Sequence, residues 1–432
     1  MQRIQWVDGL RGIAAFLVTF NHFFNGEIEA PFRSFWAHPS DANRHLIQLP
    51  PIRILWAMDA MVPLFMVISG YSISRSLIHT RETRPDRLTA HFRSSFCRRP
   101  FRLFLPVLLL SITTQILFFF DIFHHIFRPR IYQLVQPGVA PCRHVGFLIE
   151  YMMDSLNLFD PQWNDGINEP LWTMPIEYRG SCIIYFIIII QASWKPVPRI
   201  WSLACLMLYI WWYAYWAVLP FVGGLMLAEI QTAFPSCLTI RRGTGRCAQV
   251  VALTVGLYLL CLQSSDGYPP GYGFLVKAQT WHWTQYSTWL DTQRMWHGVG
   301  AILFFLGALD ALWIHRLLCT GPVQTMGRLS YAVYLVHFAI YLLWRAPLRD
   351  ALWRGITKSE YPGVETATAE RLGLFLCVYV VAGLILGSVV VLTAQLYMEY
   401  VDGKVVRLSR AIDQWLNSRD LKEPNQIRDK SS

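Results

Sequence analysis

The sequence predicts an all-α fold, a polytopic membrane protein of about ten transmembrane helices. Three observations carry this. Hydrophobic residues make up 54% of the 432-residue chain and charged residues only 15%, far from ordinary soluble usage. Uncharged stretches recur at 103–120, 248–265, 329–344 and 373–398, each close to the roughly 20 apolar residues that cross about 30 Å of hydrocarbon as a helix. Between 200 and 240 only Glu229 is charged, and Pro220 with Gly223-Gly224 at the centre divides that run into two crossings.

In chain order, the first helix is predicted near 10–26. It is expected to act as its own anchor, because the opening apolar run begins almost at Met1 and has no small-residue cleavage site behind it. The second is predicted near 56–78 and leads into Arg81, Arg84, Arg87, Arg93, Arg98, Arg99 and Arg102, set against only Glu82 and Asp86. Such a basic loop belongs on the cytoplasmic side. The remaining helices are predicted near 103–123, 170–191, 200–214, 217–233, 247–264, 297–315, 325–344 and 373–397. Lys195, Arg199, Arg241, Arg242, Arg246, Arg316, Arg328 and the basic tail from Lys404 return to the side of the first basic loop. An even helix count places both termini there. The chain thus reads as one transmembrane domain, 1–400, with a polar cytoplasmic tail, 401–432, in the endoplasmic reticulum or the plasma membrane. Topology accounts for the net charge of +10, and no nucleic-acid partner is expected.

The opposite face receives the longer loops. One, near 265–296, concentrates Tyr268, Tyr272, Trp281, His282, Trp283, Tyr286 and Trp289. It reads either as a headgroup-level aromatic belt or as a platform for a ring-bearing acceptor. The nine cysteines show no paired spacing of the kind that binds zinc. Those inside apolar runs, Cys182, Cys205, Cys261 and Cys377, read as buried thiols, and no metal site is expected.

Ionisable groups within a membrane helix are costly, so each marks a candidate function. Arg11 and His22 are eleven residues apart in the first helix. That spacing is three turns plus about 20°, which puts both on one face about 16 Å apart along the axis. The pair suits an anionic ligand at one end and proton transfer at the other, or else a snorkelling Arg and a His satisfied by a neighbouring helix. Glu177, flanked by Trp172 and Tyr178, must be paired or protonated if buried. It can hold the His22 imidazole, bind an acceptor or pair with Arg179.

The motifs resemble those of the acyltransferase-3 family of membrane acyltransferases. Asp8-Gly9-Leu10-Arg11 with His22 is similar to the family's Asp-Gly-x-Arg and distant His. Phe65-Met66-Val67-Ile68-Ser69-Gly70-Tyr71 resembles its second helix, and Arg99-Pro100-Phe101-Arg102 its Arg-x-x-Arg stretch. Leu171-Trp172-Thr173-Met174-Pro175-Ile176-Glu177 resembles its Trp-Thr-Leu-x-x-Glu segment, and Ser330-Tyr331-Ala332-Val333-Tyr334-Leu335-Val336-His337 its Ser-Tyr-x-x-Tyr-Leu-x-His. These segments run in the expected order from residue 8 to 337.

The resemblance implies an O-acyltransferase that uses acyl-CoA, most readily acetyl-CoA, as a co-substrate and holds no permanent cofactor. The catalytic residues would be His22, Arg11 and Glu177. Arg99, Arg102 and Arg98 would bind the coenzyme phosphates, since guanidinium forks suit them. Ser69, Gly70, Tyr71, Trp172, Tyr331, Tyr334 and His337 would line the substrate site, although Ser69-Gly70 equally suits helix packing. The acceptor would be a hydroxylated small metabolite, lipid or sugar, and the bilayer itself the other partner. Pro100 inside the Arg-x-x-Arg stretch departs from the family pattern and leaves the separate roles of Arg98 and Arg99 open. A secondary transporter and a non-catalytic member of the same fold are the competing readings.

Overall fold

The computed structural model describes residues 4–123, 135–158, 167–234, 244–265 and 267–418. Among the described residues all regular structure is helical, with no strand. Each of the ten helices read from the sequence has a counterpart: α1 (Gln5–Phe24), α2 (Met58–Thr83), α3 (Leu88–Phe119), α5 (Thr173–Ile190), α6 (Pro196–Trp212), α7 (Leu219–Ala233), α8 (Thr244–Leu260), α10 (Trp289–Ala308), α12 (Gly321–Thr357) and α13 (Val364–Tyr397). Four more are α4 (Pro141–Leu156), α9 (Trp281–Tyr286), α11 (Leu312–Leu318) and α14 (Gly403–Ser418).

Ten full crossings are not confirmed. Five helices, α2, α3, α5, α12 and the α13–α14 run, are long and apolar enough to span a membrane. A sixth appears if α10 and α11, bent by 99° at their junction, form one broken span. The shortfall has two physical sources. Asp8 and Arg11 dilute the apolar character of α1, and α6, α7 and α8 have only 17, 15 and 17 residues, short of the roughly 20 a crossing uses.

The third helix departs most from the sequence reading. It begins at Leu88 rather than near 103, so Arg98, Arg99 and Arg102 lie inside it rather than in a loop at its mouth. Pro100 and Pro106 also lie within it. Proline removes an amide donor from the helical ladder, and two phenols meet carbonyls in this stretch. The Tyr331 hydroxyl donates to the Leu103 carbonyl at 2.7 Å, and that of Tyr397 donates to the Pro106 carbonyl. α14, the first part of the polar tail, lies along α3, where the Ser94 hydroxyl donates to Asp413 at 2.6 Å.

In lipid, helices associate through close packing rather than hydrophobic transfer, so small residues mark the seams. A Cβ added at Gly12 would stand 2.4 Å from the Gly327 nitrogen, and one at Gly327 2.4 Å from the Asp8 carbonyl oxygen. The backbones of α1 and α12 therefore touch. The second seam joins α2 to α7: a Cβ at Gly70 would meet the Phe221 oxygen at 2.3 Å, and one at Gly224 the Val67 oxygen at 2.4 Å. Below that seam Arg81 and Arg199 close on the buried Glu229 carboxylate at 2.8 and 3.7 Å, while Arg199 also reaches Glu82 at 2.9 Å.

The aromatic segment packs over the ends of the helices. The Trp283 indole is buried and donates to the Trp211 carbonyl at 2.6 Å, and that of Trp296 donates to the Tyr268 hydroxyl at 2.6 Å. Trp281 and Tyr286 stay exposed. Cys182 and Cys261 are buried, but Cys205 and Cys377 face outward. An apolar run alone does not tell a core-facing from a lipid-facing position. Arg241, Arg242 and the end of the tail, 419–432, lie outside the described residues.

Candidate active site

Two polar clusters lie between α1, α2, α3, α5 and α12. The first forms where α1 and α12 run side by side beyond their glycine seam. The half-buried His22 ring lies 5.2 Å, centroid to centroid, from that of His337, with Phe338 edge-on at 5.6 Å. His337 is 0% exposed. Its Nδ1 meets the Val333 carbonyl at 3.0 Å, so this nitrogen carries the proton, and the buried Nε2 has no hydrogen-bond partner. A bare lone pair in a dry interior is costly, and such a group beside a second imidazole marks a place where a donor can arrive. The Thr19 hydroxyl, one turn before His22, is likewise buried without a partner.

The second cluster centres on Glu177. Its carboxylate accepts from the Ser69 hydroxyl and from Nη2 of Arg99. Arg99 Nη2 also reaches the Ser69 oxygen at 3.1 Å, and its Nε donates to the Ser181 hydroxyl at 3.0 Å. Arg99 and Glu177 are 20% and 18% exposed at the side chain. An ion pair so shielded offsets its desolvation only if its remaining lone pairs and protons are satisfied, and removing either partner is costly. Glu177 thus joins Arg99 rather than Arg179, whose Nε donates to the Asn157 carbonyl at 2.8 Å.

Tyr334 connects the clusters. Its ring lies 5.9 Å from that of His337, and its hydroxyl bonds the Pro170 carbonyl and, at 2.6 Å, the Thr173 hydroxyl. Thr173 and Glu177 are four residues apart on α5, about one turn or 6 Å. A polar path, stepping by ring contact and helical spacing rather than by hydrogen bonds throughout, leads from His22 past His337, Tyr334 and Thr173 to Glu177 and Arg99.

The other sequence candidates stand apart from this path. Arg11 sits at the far end of α1, 3.3 Å from Asp8. Gly70 serves the α2–α7 seam. Tyr71, rotated about 100° from Gly70 by helical geometry, bonds Gln231 and takes a 2.8 Å bond from Arg75. Trp172 stacks with the Arg294 guanidinium, which lies 4.7 Å from both the Trp172 and Trp216 rings. Arg98 turns to Asp413 of α14 at 3.8 Å, and the charge of Asp402 opposes Arg102. Tyr331 is occupied by the α3 carbonyl already described. Among the described residues no three metal-ligating side chains converge.

Sequence reasoning missed Ser181, Thr173 and Arg345. Ser181 stands four residues after Glu177, a spacing that puts it on the same helical face. Thr173 lay in plain view within the Trp-Thr-x-x-x-Glu segment. Arg345 follows His337 by eight residues, and its Nη1 donates to backbone carbonyls at the end of α1.

The acyltransferase-domain model matches residues 4–392. An O-acetyltransferase of Phomopsis amygdali, PaAT-1, is 24% identical over 98% of this chain and 86% of its own length. An acyltransferase of Cochliobolus lunatus, clz18, is 24% identical over 97% of both chains. No solved structure matches. With the family match spanning nearly the whole polypeptide, the chain belongs to the acyltransferase-3 family and is a membrane acyltransferase.

Proposed function

We propose that this protein transfers an acyl group, most readily acetyl, from acyl-CoA to a hydroxyl of a small metabolite, lipid or sugar, with His22 as general base. The observation that carries the reading is the buried pairing of His22 with His337, whose Nε2 lone pair is unpartnered. Two nearby imidazoles, one with its tautomer fixed by backbone, form a setting for taking a proton from an acceptor hydroxyl. The likeness to PaAT-1, an O-acetyltransferase, supports acetyl as the group and oxygen as the atom that receives it.

In the reaction, the acceptor O–H gives its proton to His22 as the oxygen attacks the thioester carbonyl carbon. The resulting oxyanion needs donors, and this role is assigned to Arg, Tyr or Ser side chains of the helices around His22. Collapse breaks the carbon–sulfur bond. The leaving thiolate takes the proton from the His22 imidazolium, so the products are an ester and free coenzyme A. Arg99, Arg102 and Arg98 are assigned to the coenzyme phosphates, and both termini to the cytoplasmic side.

The test is coenzyme A release by the purified protein in lipid nanodiscs, supplied with acetyl-CoA and an extract of host metabolites. Release that depends on the extract and falls by about 100-fold or more in His22→Ala, with the variant still folded, supports the reading. Release unchanged in that variant overturns His22 as base.

A further inference from the structure

The last turn of an α-helix leaves carbonyl oxygens without amide partners. At the end of α1 one side chain takes several of them at once. Nη1 of Arg345 donates to the carbonyls of His22 at 3.3 Å, Phe23 at 3.1 Å and Asn25 at 3.0 Å. The first of these belongs to the residue whose imidazole faces His337. Arg345 also stands on the helix that carries His337, two turns and about 80° further along. α12 therefore holds His22 at two points, the ring beside His337 and the backbone beneath Arg345.

The guanidinium is itself held. Its Nη2 lies 3.4 Å from Glu27, just past α1, and the same carboxylate takes Arg349 Nη1 at 2.9 Å and the Tyr379 hydroxyl. Side-chain exposures of 24%, 10% and 14% for Arg345, Glu27 and Arg349 show a cluster shielded from water. A cation at a helix C-terminus is favourable wherever it occurs, so capping alone would account for the Arg345 contacts. It does not account for a largely shielded carboxylate fixed by two more groups that orients the capping guanidinium. Such a second layer is how proteins lock a reacting side chain to within a fraction of an ångström.

We propose that Arg345 and Glu27 are positioning residues for His22. This rests on the reading of His22 as the base and goes beyond it. Arg345 fixes the backbone from which the imidazole hangs, and Glu27 fixes Arg345. Lysine at 345 keeps the charge but loses the planar fork that serves carbonyls and carboxylate together.

The experiment compares wild type, Arg345→Met, Arg345→Lys, Arg345→Ala with added ethylguanidine, Glu27→Gln and His22→Ala in the coenzyme A release assay, with thermal unfolding measured on each. The expected result is a kcat lowered about 10- to 100-fold in Arg345→Met, with KM for acetyl-CoA within about twofold. A smaller loss is expected in Arg345→Lys and Glu27→Gln, and partial recovery of Arg345→Ala with ethylguanidine. Wild-type kcat in Arg345→Met or Glu27→Gln overturns the proposal, as does a loss in kcat that follows thermal stability and resists ethylguanidine. If Arg345→Met fails to fold, Glu27→Gln and Arg345→Lys decide. Full activity in His22→Ala instead overturns the base assignment, which separates that failure from this one.

Discussion

The His337 ring lies 5.2 Å from the His22 ring and, with its Nδ1 hydrogen given to the Val333 carbonyl, keeps a buried Nε2 lone pair without a protein partner. One imidazole therefore has its tautomer set by its own helix, while the other approaches it from α1. Replacing His337 by Phe keeps a ring of similar size and removes the lone pair. We expect kcat for coenzyme A release to fall about tenfold, the equivalent of one hydrogen bond worth about 1.4 kcal/mol. Steady-state kinetics in nanodiscs measure this, and an unchanged kcat would remove Nε2 from the chemistry.

Arg99 and Glu177 couple α3 to α5. Because Ser69 and Ser181 bond both partners or their backbone, truncating either one leaves a shielded charge without its counter-ion. A double-mutant cycle with Arg99→Ala and Glu177→Ala should return a coupling of about 1–3 kcal/mol in unfolding free energy. Additive losses would mean that the two side chains stand independently.

Glu229 balances Arg81 and Arg199 in a site that is almost dry, with side-chain exposures of 1%, 4% and 3%. Glu229→Gln leaves the two guanidiniums with only Glu82, a carboxylate 42% exposed, as counter-ion. The expected cost is about 3–5 kcal/mol, seen as a fall in the unfolding temperature. Little effect on the KM of any protein that survives is expected, since this cluster lies at the far end of α2 from the polar path.

Much of the fold could be read from composition and apolar runs, because helix existence depends on local pattern. What could not be read was where a helix can absorb charge. The arginines from Arg98 to Arg102 look like a cytoplasmic loop in sequence, yet Glu177, Asp402 and Asp413 come from segments far away to accompany them. Long-range pairing of this kind leaves no trace in the local sequence. The site was legible in part for the same reason. His22, Glu177 and His337 stand out as polar residues in apolar helices, whereas Arg345 looks like an ordinary interfacial cation until α1 is placed beside it. Tyr71 and Trp172 belong to the motif segments themselves, yet their side chains meet Gln231 and Arg294 rather than Glu177.

The glycine seam gives the fourth prediction. Gly12→Val places a branched side chain where a Cβ alone would stand 2.4 Å from the Gly327 nitrogen. We expect destabilisation of at least about 1–3 kcal/mol together with loss of transferase activity, read by thermal unfolding and the coenzyme A assay. A stable, active variant would show that α1 and α12 can separate without cost.

That seam also bears on how inactive variants are to be interpreted. The backbones of α1 and α12 touch at Gly12 and Gly327, so the offset between the two helices is set there, while His22 and His337 stand ten residues further on along each helix. A slip of one residue at the glycines would swing His22 by about 100° and part it from its neighbour. In a genetic screen for lost function, substitutions at Gly12 and Gly327 would therefore score like active-site mutations without touching a substrate. The information that aligns the two histidines is written some 15 Å away from them.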